Sequence, residues 1–235
     1  KMALIKYQLK NYIRTYKLIA PFVTFFTLLI IIYFYSGQPI MSSFASTSMV
    51  LLFVTGWITV TIIDAESLQE KQLLFTQLKS KSTYLTNKLI FSILLILPLG
   101  IVAIIYPIIT FRFEHIPNLI EIVIGIYSHI ITIIVGVLIT TLLKTIPKLS
   151  YKFVWLIMML IFLFSILRVV IIEAFSISSY VLWIFPPISD FMMMLNEDIM
   201  LILNKDFLII NIWMVVYLVI LTTVLYINFN KSEYI

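Results

Sequence analysis

Long apolar tracts alternate with short polar ones along the chain. No Asp, Glu, Lys or Arg interrupts residues 18–63, and further uncharged runs recur downstream. A hydrocarbon core about 30 Å thick takes roughly 20 apolar helical residues to cross. With the turn signal Ser36-Gly37-Gln38-Pro39 dividing the first tract, the pattern predicts six spans, at 18–35, 44–63, 89–111, 122–143, 153–172 and 207–228. The fifth carries Arg168 inside it. The expected fold is an all-α polytopic membrane protein, with residues 1–17 as a separate leading element and residues 18–235 as the six-span domain.

Three polar or mixed stretches have patterns of their own. In residues 1–17, Met2, Ile5, Leu9, Ile13 and Tyr16 recur at spacings of three and four, while Lys6, Lys10, Arg14 and Lys17 fall on another face. That is an amphipathic helix suited to a membrane interface. Residues 64–84, DAESLQEKQLLFTQLKSKSTY, form too long a connection for a passive loop, since helix connections run about two to eight residues. On a helical wheel Leu68, Leu74, Phe75 and Leu78 gather on one side and Glu66, Glu70, Leu73 and Gln77 on the other. A two-faced helix is expected, one side on the membrane or bundle and the other free for a protein. In residues 173–206 the run YVLWIFPP ends in a helix-breaking proline pair. After it, Ile188, Phe191, Met192, Leu195, Ile199 and Ile202 recur at helical spacing, with Asp190, Glu197 and Asp198 off the stripe. This predicts a segment dipping into the outer leaflet and returning, or a helix lying on the surface; we carry the re-entrant form forward.

Composition narrows the class. The chain is 62% hydrophobic and 11% charged, with a mean hydropathy of +1.12, values of a protein that folds in lipid. Sorted by the loops the spans define, thirteen Lys and Arg fall on one side and only Arg112, Arg168 and Lys205 on the other. The positive-inside rule then sets both termini in the cytoplasm of a cell-membrane protein. The net charge of +5 is dispersed beside the spans, which excludes nucleic acid and leaves the bilayer as the partner of the basic residues. The first apolar run exceeds the roughly 7–15 residues of a signal-peptide core and no A-x-A site follows, so a retained span is expected.

The inventory of reactive groups is thin. There is no cysteine, hence no disulfide or thiolate chemistry. His115 and His129 lie fourteen residues apart without metal-ligand spacing. No G-x-S-x-G and no phosphate-binding G-x-x-x-x-G-K-[ST] occurs, so neither a hydrolase elbow nor a nucleotide site is expected, and no catalytic residue is assigned. Ionisable groups at membrane depth are functional candidates. His129 either hydrogen-bonds across the bundle or lines a polar path. Arg168 either snorkels and pairs with Glu173 or meets a charged substrate. The methionines Met192, Met193, Met194 and Met200 offer an adaptable apolar surface.

An interfacial leading helix, six spans, a charged helix after the second span and a dipping segment before the last resemble the membrane subunit of an ABC-2 type (type V) ABC transporter. The local motif is an acid followed by Leu-Leu and a Lys-Leu entering the third span: Glu66 or Glu70, Leu73-Leu74 and Lys88-Leu89. The glycine often seen after the acid and the proline often seen after the leucines are absent. The resemblance implies that 64–84 is a coupling helix (Glu66, Glu70, Leu73, Leu74, Gln77) seated in a separate ATPase subunit. That partner would bind ATP-Mg, and a second permease subunit, identical or homologous, would complete the path. It further implies export of amphipathic peptides, toxins, lipids or drugs, with His129, Arg168, Met192, Met193 and Met194 along the substrate path. Abundant Ile and Lys with little Arg is similar to permeases of cytolytic-peptide exporters of the phenol-soluble modulin type. A membrane-embedded binding, sensor or immunity subunit is the alternative.

Overall fold

A computed structural model describes residues 2–78, 80–147, 149–195 and 205–231. Every regular element among them is helical. Helix α1 (Met2–Arg14) meets α2 (Ile19–Ile32) at 82°, an elbow turned by Tyr16 in the left-handed region at φ +55°. Then come α3 (Ile40–Ile63), the short α4 (Leu68–Gln77), α5 (Lys81–Ile109), α6 (Leu119–Thr145) and α7 (Tyr151–Ala174). A 3-10 turn (Ser176–Ser178), α8 (Ser179–Leu182) and α9 (Ile188–Met194) precede α10 (Lys205–Lys231).

Five helices, α3, α5, α6, α7 and α10, are long and apolar enough to cross a membrane. The expected first span at 18–35 is helical over only 14 residues, about 21 Å at 1.5 Å per residue. It reaches a sixth crossing only if the bent α1–α2 pair is taken together. The chain leaves α2 at Tyr33 and turns through Gly37, whose φ of +78° suits a residue without a Cβ. Gln38 then exchanges backbone hydrogen bonds with the α5–α6 connection: its N–H donates to the Arg112 carbonyl (2.9 Å) and its carbonyl accepts from Glu114 (3.1 Å).

Helices α3 and α6 form the centre. Their apolar windows are 61% and 67% buried, against 17% for α7 and α10. Small residues let them approach: a Cβ on Gly125 would lie 2.7 Å from the Phe44 ring, and one on Gly136 would lie 2.8 Å from Thr55 Cγ2. Hydroxyls line the seam, with Ser48 Oγ 3.3 Å from Ser128 Oγ. Most of these hydroxyls also donate to carbonyls one turn back, as Thr59, Thr132 and Thr141 do. Their polar atoms thus cost little in an apolar surrounding.

Candidate functional site

Three of the basic residues that the sequence sorts to one side, Lys71, Lys88 and Lys144, come together at one end of the bundle. Ser82 at the start of α5 donates to Asn230 near the end of α10 (3.1 Å), and Thr86 Oγ1 lies 2.6 Å from Tyr226 OH. The end of α6 joins through Lys144, whose Nζ is 2.5 Å from Asp64 just past α3 and 5.4 Å from the centre of the Tyr151 ring.

Residues 64–84 are not one helix. Ser67 is an N-cap, its hydroxyl accepting from the Glu70 N–H (3.2 Å) while the Glu70 carboxylate accepts from the Ser67 N–H (2.7 Å). This capping box starts α4 after Ser67. Leu78 is extended at its C-cap, and Ser80 caps α5 by accepting from the Thr83 N–H (3.1 Å). The last four residues of the stretch, 81–84, therefore open the helix of the third predicted span.

The break moves Glu66 off the face where the wheel put it. Glu66 is buried, with Oε1 2.8 Å from Lys88 Nζ, and it accepts hydrogen bonds from Tyr84 OH and from Gln8 Nε2 (3.3 Å). Tyr12 OH lies 2.7 Å from Thr61 Oγ1. Helix α1 thus docks through polar Gln8 and Tyr12, while Leu9, Ile13 and Tyr16 of its expected apolar stripe are exposed. The side chain of Met2 lies outside the described residues. Glu66 joins α1, the α3–α4 turn and α5 in one buried node.

On α4 itself the two faces separate. Leu74, Phe75 and Leu78 pack on the core. Phe75 sits edge-on to Tyr84 (5.0 Å) and to Phe229 of α10 (6.2 Å). Gln69, Gln72, Leu73, Thr76 and Gln77 are exposed, and Leu73 keeps 58% of its surface open amid polar neighbours. Of the five residues grouped for coupling, Leu73 and Gln77 share the open face. Glu70 serves the cap, while Glu66 and Leu74 point inward; the side chain of Leu68 lies outside the described residues.

The substrate-path residues do not share one site. His129 is buried on α6, its Nδ1 2.7 Å from the Gly125 carbonyl and its Nε2 3.1 Å from Thr47 Oγ1. A carbonyl only accepts, so Nδ1 carries the proton and Nε2 is left as the acceptor. The ring borders a cavity of about 330 Å³ between α5 and α6 whose other walls are Ile, Leu and Gly. Both ring nitrogens thus lie within hydrogen-bond distance of a protein group, and the Thr47 hydroxyl is shared with the Ser43 carbonyl.

Arg168 pairs with Asp190 of α9, not with Glu173, which is exposed. The pair holds the folded-back segment on α7, where Ser189 Oγ also accepts from the Val169 N–H (3.4 Å). The stripe Ile188, Phe191, Met192 and Leu195 is buried; Ile199 and Ile202 lie outside the described residues. Met192 is consequently part of the core, Met193 is 44% exposed and Met194 is half-buried. The three methionines do not form one surface, and Met200, Glu197 and Asp198 lie outside the described residues.

Lys71 and Asp64 are functional candidates that the wheel did not single out. Among the described residues Lys71, half-buried on α4, makes no ion pair within 4 Å, and Asp64 Oδ2 is buried without a hydrogen-bond partner. Burial pushes the Lys71 ammonium below its usual range, and Glu66 and Asp64 oppose that shift. The signal was present as two charges at the apolar–polar boundary, but their convergence depends on the fold.

Fold and site together define a multi-pass helical membrane protein with a buried charge node under a short, capped helix. No protein-family model, curated protein or solved structure matches the chain.

Proposed function

We propose that the chain is the membrane permease subunit of an ATP-driven exporter, with α4 as the element that engages a separate ATPase. One observation carries the reading: α4 offers an exposed leucine, Leu73, on a polar face while its opposite face is fastened to the bundle. A helix that only joined two spans would need neither feature. Force applied at Leu73 reaches α5 and α10 through Phe75, and the Ser67 cap adjoins the Glu66 node that contacts α1 and α5. Rigid-body transmission of this kind needs packed contacts on both sides of the moving element.

In this reading α4 faces the cytoplasm of the cell membrane, as do both termini, in line with the thirteen-to-three division of cationic residues. ATP-Mg binds the partner, since this chain carries no phosphate-binding loop. The single chain is closely packed along α3 and α6, which favours a path formed with a second permease subunit, identical or homologous. The cargo class is amphipathic peptides, toxins, lipids or drugs, with peptide export of the phenol-soluble modulin type the narrowest form.

The test is purification of the native complex in mild detergent, followed by identification of each subunit and assay of ATP hydrolysis. A stoichiometric ATPase bound to the chain is the expected result. A chain that purifies alone with full ligand-binding or immunity function would replace this reading by a binding, sensor or immunity subunit.

A further inference from the structure

Beneath α4 lies a partly open cavity of about 210 Å³, lined by the end of α3, by α4, α5 and α6, and by Phe229 of α10. Its walls carry Lys71, Lys88 and Lys144 together with Asp64, and its remaining sides are largely apolar, including Phe75, Leu85 and Phe229. Glu66 belongs to the same node through Lys88. Three cations against two anions leave one positive charge in a half-buried setting. Lys88 is matched by Glu66 and Lys144 by Asp64. Lys71 is the charge left over: it lies in the field of Glu66 and Asp64 but makes no ion pair within 4 Å among the described residues.

An unmatched charge at a low-dielectric boundary is costly unless something neutralises it. Asp64 on the cavity wall also has an unfilled acceptor: its second oxygen, Oδ2, is buried and has no donor among the described residues, so a small shift of the side chain would bring it to a ligand. A ligand that satisfies both groups carries one negative charge and at least one hydroxyl. A phosphodiester supplies the first, because it is a monoanion with strong acceptor oxygens suited to an ammonium group. A glycerol group attached to it supplies the second. The apolar walls suit the carbon skeleton that follows the phosphate.

We propose that this cavity binds a glycerol-phosphate monoanion, with the phosphate on Lys71 and a glycerol hydroxyl donating to Asp64 Oδ2. The position at the polar end of five membrane-crossing or membrane-adjacent elements fits a lipid headgroup, and basic pockets between spans are a recurring form of headgroup site. A soluble phosphodiester, glycerophosphoglycerol, has the same chemistry and is distinguished by experiment. The inference does not depend on the transporter reading, since it concerns a cavity of the single chain.

The purified full-length chain in neutral detergent is titrated with phosphatidylglycerol, with phosphatidylcholine, and with glycerophosphoglycerol or inorganic phosphate, reading the thermal midpoint and lipid retention by native mass spectrometry. The wild type is expected to be stabilised by phosphatidylglycerol over phosphatidylcholine. Lys71→Gln should weaken that affinity about tenfold, the scale of one charge-assisted contact, whereas Lys71→Arg and the exposed-site control Lys10→Gln should retain it. In ligand-free detergent Lys71→Gln should unfold no earlier than the wild type, which separates lost binding from lost folding. Equal protection by the soluble phosphates, again lost in Lys71→Gln, supports the site with a soluble occupant. Protection absent from the wild type, or unchanged in Lys71→Gln, overturns the proposal.

Discussion

Lys88 Nζ lies 2.8 Å from Glu66 Oε1, and both side chains are buried. The contact ties the α3–α4 turn to α5 and is completed by Tyr84 and Gln8. Removing one member leaves the other as a buried, unmatched charge, which costs about 3–5 kcal/mol. Glu66→Gln and Lys88→Met should each lower the thermal midpoint in detergent substantially. The double variant should lose clearly less than the two added together. Strictly additive losses would show that the two charges do not depend on each other.

The seam between α3 and α6 makes a second expectation. Gly125→Ala drives a methyl to 2.7 Å from the Phe44 ring, and such overpacking costs about 1–3 kcal/mol. Combining it with Phe44→Leu should recover part of the loss. Gly100→Ala is the control, since its new methyl meets nothing closer than 3.4 Å and it gains helix propensity. Its thermal midpoint should be unchanged or higher.

Asp190→Asn should loosen α9 from α7 while the spans stay folded. Hydrogen exchange is expected to quicken over residues 188–194 and to stay unchanged in α3 and α6. Glu173→Gln should have no effect there, because Glu173 is exposed and Arg168 is paired elsewhere.

Lys71 has a pH signature with a definite sign. Burial lowers its value in the folded chain below 10.5, against the pull of Glu66 and Asp64 and together with repulsion from Lys144. Between the lowered value and 10.5 the unfolded chain holds more protons, so stability rises with pH across that window. Lys71→Gln should flatten the rise in a stability–pH series in ligand-free detergent. A slope unchanged by the substitution would mean that Lys71 is fully solvated.

The spans were legible because uncharged apolar runs of twenty residues have few other uses, and five of them are present as long helices. The connection at 64–84 was read as one helix, although Ser67-Leu68-Gln69-Glu70 is a capping-box sequence that starts a helix and leaves Glu66 outside it. Asn118-Leu119-Ile120-Glu121 does the same at the start of α6. Those local signals were available to sequence reading. The Arg168–Asp190 pair was not, because its partners lie 22 residues apart and meet only where the chain folds back after Pro186-Pro187. The docking of α1 by Gln8 and Tyr12 was hidden for another reason. A helical wheel ranks faces by apolarity, and here two polar side chains turn inward to meet polar partners.

Leu73 offers the most direct measurement of the central claim. Leu73→Asp changes an exposed side chain and leaves Leu74 and Phe75 on the core, so the variant should fold and reach the membrane with an unaltered thermal midpoint. ATP hydrolysis co-purifying with the wild-type chain is expected to be lost, or no longer coupled to export, in Leu73→Asp. Leu73→Met should keep both. A Leu73→Asp chain that retains its ATPase and exports at the wild-type rate would contradict α4 as the coupling element.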